Sequence, residues 1–178
     1  TNSNTTTGLR SYRPGNYSGD MLDDLYNISG TGTSNQLISG VHTYDNGLGA
    51  TFTLKCTSTL NGVPFDLKGV VMADAESLAS SESLQATAKG TWTIMEMVKK
   101  GNYQANRTIA ANGNSTIRFH SGADAGSGAV TFLTFDKSAY SGSNREVSID
   151  FGLKGGGKQA IAIGLLVPYA DFGDAPAT

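Results

Sequence analysis

The sequence has few charged residues and only one cysteine, and these shortages exclude several classes of protein. Charged side chains make up 16% of the 178 residues, and the net charge is −2. A nucleic-acid-binding protein needs a basic surface that displaces counterions from phosphates, and no block of Lys and Arg is present to form one. Cys56 has no second cysteine in the chain to pair with, so the fold must rely on a hydrophobic core.

Long apolar runs are missing as well. No stretch approaches the roughly 20 consecutive apolar residues of a membrane-spanning helix. Hydrophobic residues make up 38% of the chain, and Thr, Ser, Asn and 23 glycines supply much of the rest. This composition is typical of extracellular β-proteins, whose strands use Thr and Val and whose turns use Gly, Asn and Ser. The length suits a single domain with one core.

Apolar and polar residues alternate along most of the chain, which is the pattern of strands with one buried face. In residues 146–151, for example, Val147, Ile149 and Phe151 point to one side, and Ile117 and Phe119 do so in an earlier run. Residues 158–167 are apolar on both sides, which predicts a central strand. The predicted strands are residues 37–43, 51–58, 64–73, 91–98, 115–120, 129–136, 146–151 and 158–167.

The strands are separated by turn residues rather than by helices. Asn61-Gly62, between two alternating runs, is the strongest hairpin signal. Helical spacing is found only in residues 20–28. The pattern predicts an all-β fold, a two-sheet β-sandwich or jelly roll with at most one or two short helices. Residues 1–8 are expected to form a linker and residues 9–170 the sandwich.

Three stretches carry a family likeness: residues 69–77 with 81–84 and the strand that holds Trp92, residues 156–168, and residues 171–178. In the second, a glycine-rich turn precedes an apolar strand, and an Asp-Phe-Gly-Asp-Ala-Pro segment follows directly. The chain, over roughly residues 35–178, resembles the lectin-like non-repetitive domain of the CshA-type fibrillar adhesins, which also occurs in RTX-type adhesins. By this resemblance residues 171–178 are the exit segment toward a following module.

The resemblance implies a fold, a location and a class of partner. The fold would be a lectin-like β-sandwich similar to carbohydrate-binding modules, carried outside the cell by a bacterial surface protein. The partner would be a glycan or a matrix protein such as fibronectin, on the host or on a neighbouring cell. The resemblance implies no catalysis, and it assigns no individual ligand-binding residues.

Aromatic residues beside short polar side chains are the candidates for ligand contacts, since such groups suit glycan and peptide sites. An exposed Trp92 would stack on a sugar ring, but it shares a strand face with Ile94, which favours a core position instead. Ordinary turn composition is the alternative for the other residues. The candidates are Tyr44, Asp45, Asn46, Trp92, Tyr103 and Tyr140.

Asp74 and Glu76 follow an apolar run and are the candidate metal ligands, because Ca²⁺ prefers clustered carboxylate oxygens. They could instead cap turns or form a glycosidase pair; the chain has no Asp-x-Asp-x-Asp-Gly loop. His42 and His120 have no recognisable zinc or triad partners and are predicted to lie on the surface. Cys56 alternates with Phe52 and Leu54 and is predicted to be a core residue.

These observations favour a non-enzymatic, cell-surface adhesin module that binds a ligand. The first alternative is a structural spacer of a surface fibril, although the chain is long, rich in loops and without a convincing internal repeat. The third hypothesis is an enzyme acting on polysaccharide, for which no catalytic constellation is recognisable.

Overall fold

A computed structural model describes residues 9–12, 40–43, 49–74, 78, 82–120, 128–155 and 159–168. These residues form thirteen β-strands and one short 3-10 helix, η1. The elements are β1 (Leu9–Tyr12), β2 (Gly40–Thr43), β3 (Gly49–Cys56), β4 (Ser58–Leu60), β5 (Val63–Phe65), β6 (Gly69–Asp74), β7 (Ser83–Lys89), β8 (Trp92–Lys100), β9 (Gln104–Ile109), β10 (Asn114–His120), β11 (Gly128–Phe135), η1 (Lys137–Ala139), β12 (Val147–Lys154) and β13 (Ala160–Leu166).

The strands form two antiparallel sheets and a separate hairpin. One sheet has six strands in the order β1-β2-β13-β6-β11-β8, and the other has five in the order β3-β12-β7-β10-β9. β4 and β5 pair only with each other. Side chains from both sheets share one core, so the predicted two-sheet sandwich is confirmed. The described part of the chain contains no helix long and apolar enough to cross a membrane.

The core lies between the two sheets and is built from alternate residues of each strand. In β12 the burial alternates from end to end, and Val147, Ile149 and Phe151 are each at most 2% exposed. Ile117 and Phe119 of β10 are buried in the same way. All five were predicted to point inward, and the structure confirms this. Burying one such side chain stabilises the fold by roughly 1.5–3 kcal/mol.

β13 lies between β2 and β6, which confirms the central strand predicted from its two apolar faces. Ile161 belongs to the main core. Its neighbours Ala160 and Ala162 point to the other side of the sheet, because successive residues of a strand alternate. There they form a second apolar cluster with Ala73 and Val130, packed against Val71 and Phe132.

Some of the predicted strands were wrong or incomplete. Residues 64–73 do not form one strand, because Val63–Phe65 pairs with β4 whereas Gly69–Asp74 enters the six-stranded sheet. Asn61 and Gly62 have positive φ angles of 51° and 79°, which confirms the tight hairpin turn predicted between β4 and β5. β1, β7 and β9 were not predicted at all, although β7 is the middle strand of its sheet.

The two histidines differ from each other. His42 is only 8% exposed, and its Nδ1 lies 2.8 Å from the carbonyl oxygen of Thr43. The surface prediction is therefore wrong for His42, which lies opposite Ala160 of β13 on a sheet face where Ala160 is itself fully buried. His120 is half-buried, and its Nε2 lies 2.9 Å from the side-chain nitrogen of Asn106. The predicted helix over residues 20–28, the linker and the exit segment lie outside the described residues.

Cys56 is 7% exposed at the end of β3, so its predicted core position is confirmed. Burial, and to a smaller extent the charge of Glu146, raise the pKa of its thiol. Because the thiolate is the reactive form, we expect the native protein to resist thiol reagents at neutral pH. Labelling measured across a urea titration should begin only at the unfolding transition. Rapid labelling without urea would contradict the core position.

Candidate functional site

An open cavity of about 610 Å³ lies where β6 begins and where β11 and β13 end. The segment between β5 and β6 forms one side, through Asp66, Leu67 and Lys68. η1 and the residue after it form another side, through Lys137 and Tyr140. The remaining lining residues are mostly apolar: Pro64, Phe65, Thr134, Phe135 and Pro168. The cavity thus combines aromatic and proline surfaces with charged side chains.

Among the predicted ligand residues that the structure describes, Tyr140 is the one that lines this cavity. Its ring is half-buried, and its hydroxyl donates a hydrogen bond to the carbonyl oxygen of Leu67. Burial is the main reason that the pKa of Tyr140 is raised, with a further contribution from Asp66. The phenol therefore stays protonated at neutral pH and remains a donor. This bond fixes the aromatic ring against the segment between β5 and β6.

A bidentate ion pair between Arg145 and Asp66 also holds the segment between β5 and β6. Arg145 donates from Nε and Nη2 to the two carboxylate oxygens of Asp66, at 2.5 and 2.7 Å. These hydrogen bonds are the main reason that the pKa of Asp66 is lowered and that of Arg145 is raised. The guanidinium carbon lies 4.9 Å from the centre of the Tyr140 ring, a cation–π distance. Arg145 therefore links Asp66 to Tyr140.

The backbone of Arg145 is in a conformation that favours glycine. Its φ angle is 55°, in the left-handed region, which costs a residue with a side chain about 1–2 kcal/mol. The turn around it is closed by reciprocal backbone hydrogen bonds between Ser141 and Glu146, at 2.8 and 2.9 Å. Such strain persists only where the surroundings over-determine it, and it is concentrated at functional sites. Here the strained residue delivers the guanidinium to Asp66 and Tyr140.

The second carboxylate of this region is also engaged. Asp136 caps η1: one of its oxygens accepts from the Ser138 backbone and hydroxyl at 2.8 and 2.5 Å, and the other accepts from the backbone N–H of Thr91 at 2.8 Å. Hydrogen bonds from Ser138 and Thr91 lower the pKa of Asp136. Among the described residues, ion pairs join Arg145 to Asp66 and Lys55 to Glu146. Lys68 and Lys137 form no ion pair with any described residue.

Trp92 and Tyr103 do not have the exposed rings expected of ligand contacts. Trp92 is 0% exposed and Tyr103 is 1% exposed, so the core position that the sequence favours for Trp92 is confirmed, and the exposed position expected of Tyr103 is wrong. Trp92 packs edge-on against Phe135 at 5.0 Å, and Phe135 lines the cavity. Trp92 thus supports the wall of the cavity from inside. Tyr44, Asp45 and Asn46 lie outside the described residues.

Asp74, the predicted metal ligand, is 1% exposed and takes part in a buried hydrogen-bond network. Its carboxylate oxygens accept from the Tyr103 hydroxyl at 2.7 Å and from the Gln159 side chain at 2.8 Å. No group of three or more potential metal ligands occurs within the described ranges. Glu76 lies outside them. Calcium binding stays a prediction.

Sequence reasoning missed most of the cavity. Arg145 and Asp66 are 79 positions apart, so no local pattern pairs them, and Lys68 and Lys137 look like ordinary surface lysines. The signal that was used is Tyr140 in a short polar turn. A second one was present but unused: an Arg five positions later, in a turn of Gly, Ser and Asn.

Comparison with known proteins identifies the family. The family model of surface adhesin CshA non-repetitive domain 2 matches residues 1–167. No curated protein and no solved structure gave a significant match. Surface adhesins act at the cell surface, and membership of this family implies an extracellular, non-enzymatic role. Because the match spans nearly the whole sequence, this chain belongs to the family of non-repetitive domain 2 of the surface adhesin CshA.

Proposed function

We propose that this domain is the ligand-binding module of an adhesin, and that it attaches the bacterial cell to a glycan or a matrix protein of the host or of a neighbouring cell. The ligand binds in the cavity between Tyr140 and the Asp66–Lys68 segment. The observation that carries the proposal is the bracing of Tyr140, by its hydroxyl to Leu67 and by the guanidinium of Arg145.

The bracing favours binding because a side chain that is already ordered loses little entropy when a ligand arrives. Tyr140, Asp66 and Arg145 constrain one another, and their segments are anchored at the ends of β5, β11 and β12. Loops held by a rigid sandwich are common positions for binding residues. Modest affinity at one domain is sufficient for adhesion when many copies act together on a cell.

The two other functions considered fit these features less well. A spacer needs no strained arginine or braced aromatic ring beside a cavity. A glycosidase needs a carboxylic acid of raised pKa together with a second carboxylate. The pKa values of Asp66 and Asp136 are both lowered, and the oxygens of both carboxylates are engaged by donors. These features support a site that holds a ligand rather than one that transfers a proton to it.

The test is binding of the purified 178-residue chain to arrays of glycans and of extracellular-matrix proteins. We expect reproducible binding to one ligand class, and we expect Tyr140→Ala to weaken it at least tenfold, which corresponds to about 1.4 kcal/mol. Tyr140→Phe keeps the ring and loses only the bond to Leu67, so it should weaken binding less.

Met95→Ala is the matched control, because Met95 is 64% exposed on β8, an edge strand away from the cavity lining. It should bind like the unchanged chain. Circular dichroism and the melting temperature should show that all variants are folded. Absence of binding across both arrays, with a folded protein, would support the spacer instead. Equal binding by Tyr140→Ala would place the ligand elsewhere.

A further inference from the structure

We propose that the cavity binds a negatively charged sugar residue of an acidic polysaccharide, through Lys68 and Lys137 on its rim and the Tyr140 ring in its wall. This inference rests on the proposed function and narrows its ligand. The anionic group would be a carboxylate or a sulfate ester, since a lysine ammonium contacts either as a point charge.

The balance of charge in the cavity points to an anion. Lys68 and Lys137 line it, together with the single carboxylate of Asp66. Arg145 already neutralises that carboxylate through two hydrogen bonds. The two lysines are exposed and form no ion pair with a described residue. Asp136 adds a second carboxylate near the Tyr140 ring. Against these two carboxylates stand Lys68, Lys137 and Arg145, so the region is positive although the chain as a whole has a net charge of −2.

A concave wall strengthens this charge, because a cleft lined by one sign of charge focuses its field toward the ligand. The distribution also steers an anionic ligand, since the rest of the chain contains more acidic than basic residues. Salt weakens such exposed interactions, with a Debye length of about 8 Å at physiological ionic strength. Binding should accordingly fall as salt is raised.

The shape and the apolar walls favour a sugar over an acidic protein segment. The volume of about 610 Å³ falls inside the roughly 300–1,000 Å³ of small-ligand pockets. A protein partner would instead bury a broad surface of roughly 800 Å² on each side. Phe65, Tyr140 and Pro168 supply apolar faces for the carbon-bound side of a sugar ring.

A second groove on the molecule provides an internal contrast. It has a volume of about 310 Å³ and lies over the five-stranded sheet, lined by Thr51, Phe52, Thr53, Gln85, Thr87, Asp150 and Phe151. Asp150 accepts a hydrogen bond from the Thr53 hydroxyl at 2.6 Å. This groove has no lysine or arginine in its lining and contains a carboxylate, so it would repel the anion that the first cavity attracts.

The experiment compares four polymers on the purified chain: dextran, dextran sulfate, hyaluronan and poly-glutamate. Dextran and dextran sulfate share a backbone and differ in sulfate, whereas hyaluronan has only carboxylates. The measurements are made in about 0.15 M salt, where the Debye length is about 8 Å. We expect at least one of the two anionic polysaccharides to bind at least tenfold more tightly than dextran, and at least tenfold more tightly than poly-glutamate. The one that binds identifies the anionic group.

Two variants locate the site. The double variant Lys68→Gln, Lys137→Gln should lose at least tenfold in affinity with an unchanged melting temperature. Lys154→Gln should bind normally, because Lys154 is an exposed lysine at the last position of β12, seven residues beyond Val147 at its start, and does not line the cavity. Equal loss in Lys154→Gln would mean non-specific attraction and would overturn the proposal. So would poly-glutamate binding as tightly as the polysaccharides, because the ligand would then be an acidic peptide.

The experiments distinguish a wrong anionic ligand from a wrong binding site. If the arrays give a neutral ligand whose binding is lost in Tyr140→Ala, the cavity is a binding site and only the anionic ligand is wrong. If charged polymers bind but neither Tyr140→Ala nor the double lysine variant changes their affinity, the cavity is not the binding site, and both proposals fail.

Discussion

Replacing Gly69 with alanine is expected to destabilise the domain by about 3 kcal/mol or more. Gly69 begins β6, between Thr134 of β11 and Leu166 of β13. A Cβ atom at this position would lie 1.7 Å from the carbonyl oxygen of Leu133 and 2.8 Å from its carbon. Both are backbone atoms, so no side-chain rotation relieves the overlap, and two central strands would have to separate.

Gly164→Ala is the matched control in the same sheet. Its Cβ would lie 3.5 Å from the Cβ of Val71, an ordinary van der Waals contact. Since alanine also restricts the unfolded chain, this variant should be neutral or gain up to about 1 kcal/mol. The measurement is urea unfolding at equilibrium, with the midpoints compared at equal slope. Equal midpoints for the two variants would mean that the strands yield more easily than their packing indicates.

The second large effect is expected at the buried carboxylate of Asp74. Asp74→Ala leaves the Tyr103 hydroxyl and the Gln159 amide without this acceptor in the interior. Stranding buried donors that were bonded to a charge costs about 1.5–3 kcal/mol each, so we expect a loss of about 3 kcal/mol or more. Asp150→Asn is the control, because that carboxylate is exposed and bonds Thr53 at the surface; its effect should stay within about 1 kcal/mol.

A double-mutant cycle separates this network from the general cost of a buried substitution. Tyr103→Phe removes one donor and keeps the ring, which packs against Phe119 at 6.0 Å. The coupling energy between Asp74→Asn and Tyr103→Phe should be about 1–3 kcal/mol. Additive losses, with no coupling, would show that the hydrogen bond contributes nothing beyond packing.

The pH dependence of this network has a defined sign. Burial, and then the charge of and hydrogen bond to Asp74, raise the pKa of Tyr103 well above its ordinary value. A group whose pKa is raised by folding contributes stability that is fully present below its unfolded pKa, near about 10 for tyrosine. That contribution is lost as the pH rises toward the folded pKa. Tyr103→Phe should therefore reduce the loss of stability above pH about 10.

The strands that sequence reasoning identified have strong local signals. β12 and β10 alternate cleanly between apolar and polar residues, and the hairpin between β4 and β5 has Asn61-Gly62 at its turn. β7 was missed because its buried positions include Ala86 and Ala88, whose small side chains give little hydrophobic contrast. β9 was missed because its residues are mostly polar and exposed, as suits the edge of a sheet.

The site residues were predicted less well than the strands, because their positions depend on contacts between distant segments. Tyr103 is an amphipathic residue beside polar neighbours, a context equally compatible with a surface position, whereas Trp92 shares a strand face with Ile94, which favours the core. Tyr103 becomes buried because Asp74, 29 positions away, accepts its hydroxyl hydrogen bond. Asp74 resembled a metal ligand because its local sequence does not reveal its hydrogen-bond donors. One of them, the Gln159 side-chain amide, is 85 positions further along the chain.

The sequence by itself determined that this is an all-β sandwich and a member of an adhesin family, because alternation, turn residues and family motifs are properties of short segments. Only the tertiary structure decided which polar groups are buried together and where a cavity opens. Asp66, Lys68, Tyr140 and Arg145 come from segments far apart in the chain. These residues come together only when the two sheets pack against each other. The packing energy is a sum over the whole core, so no single segment of the sequence specifies it.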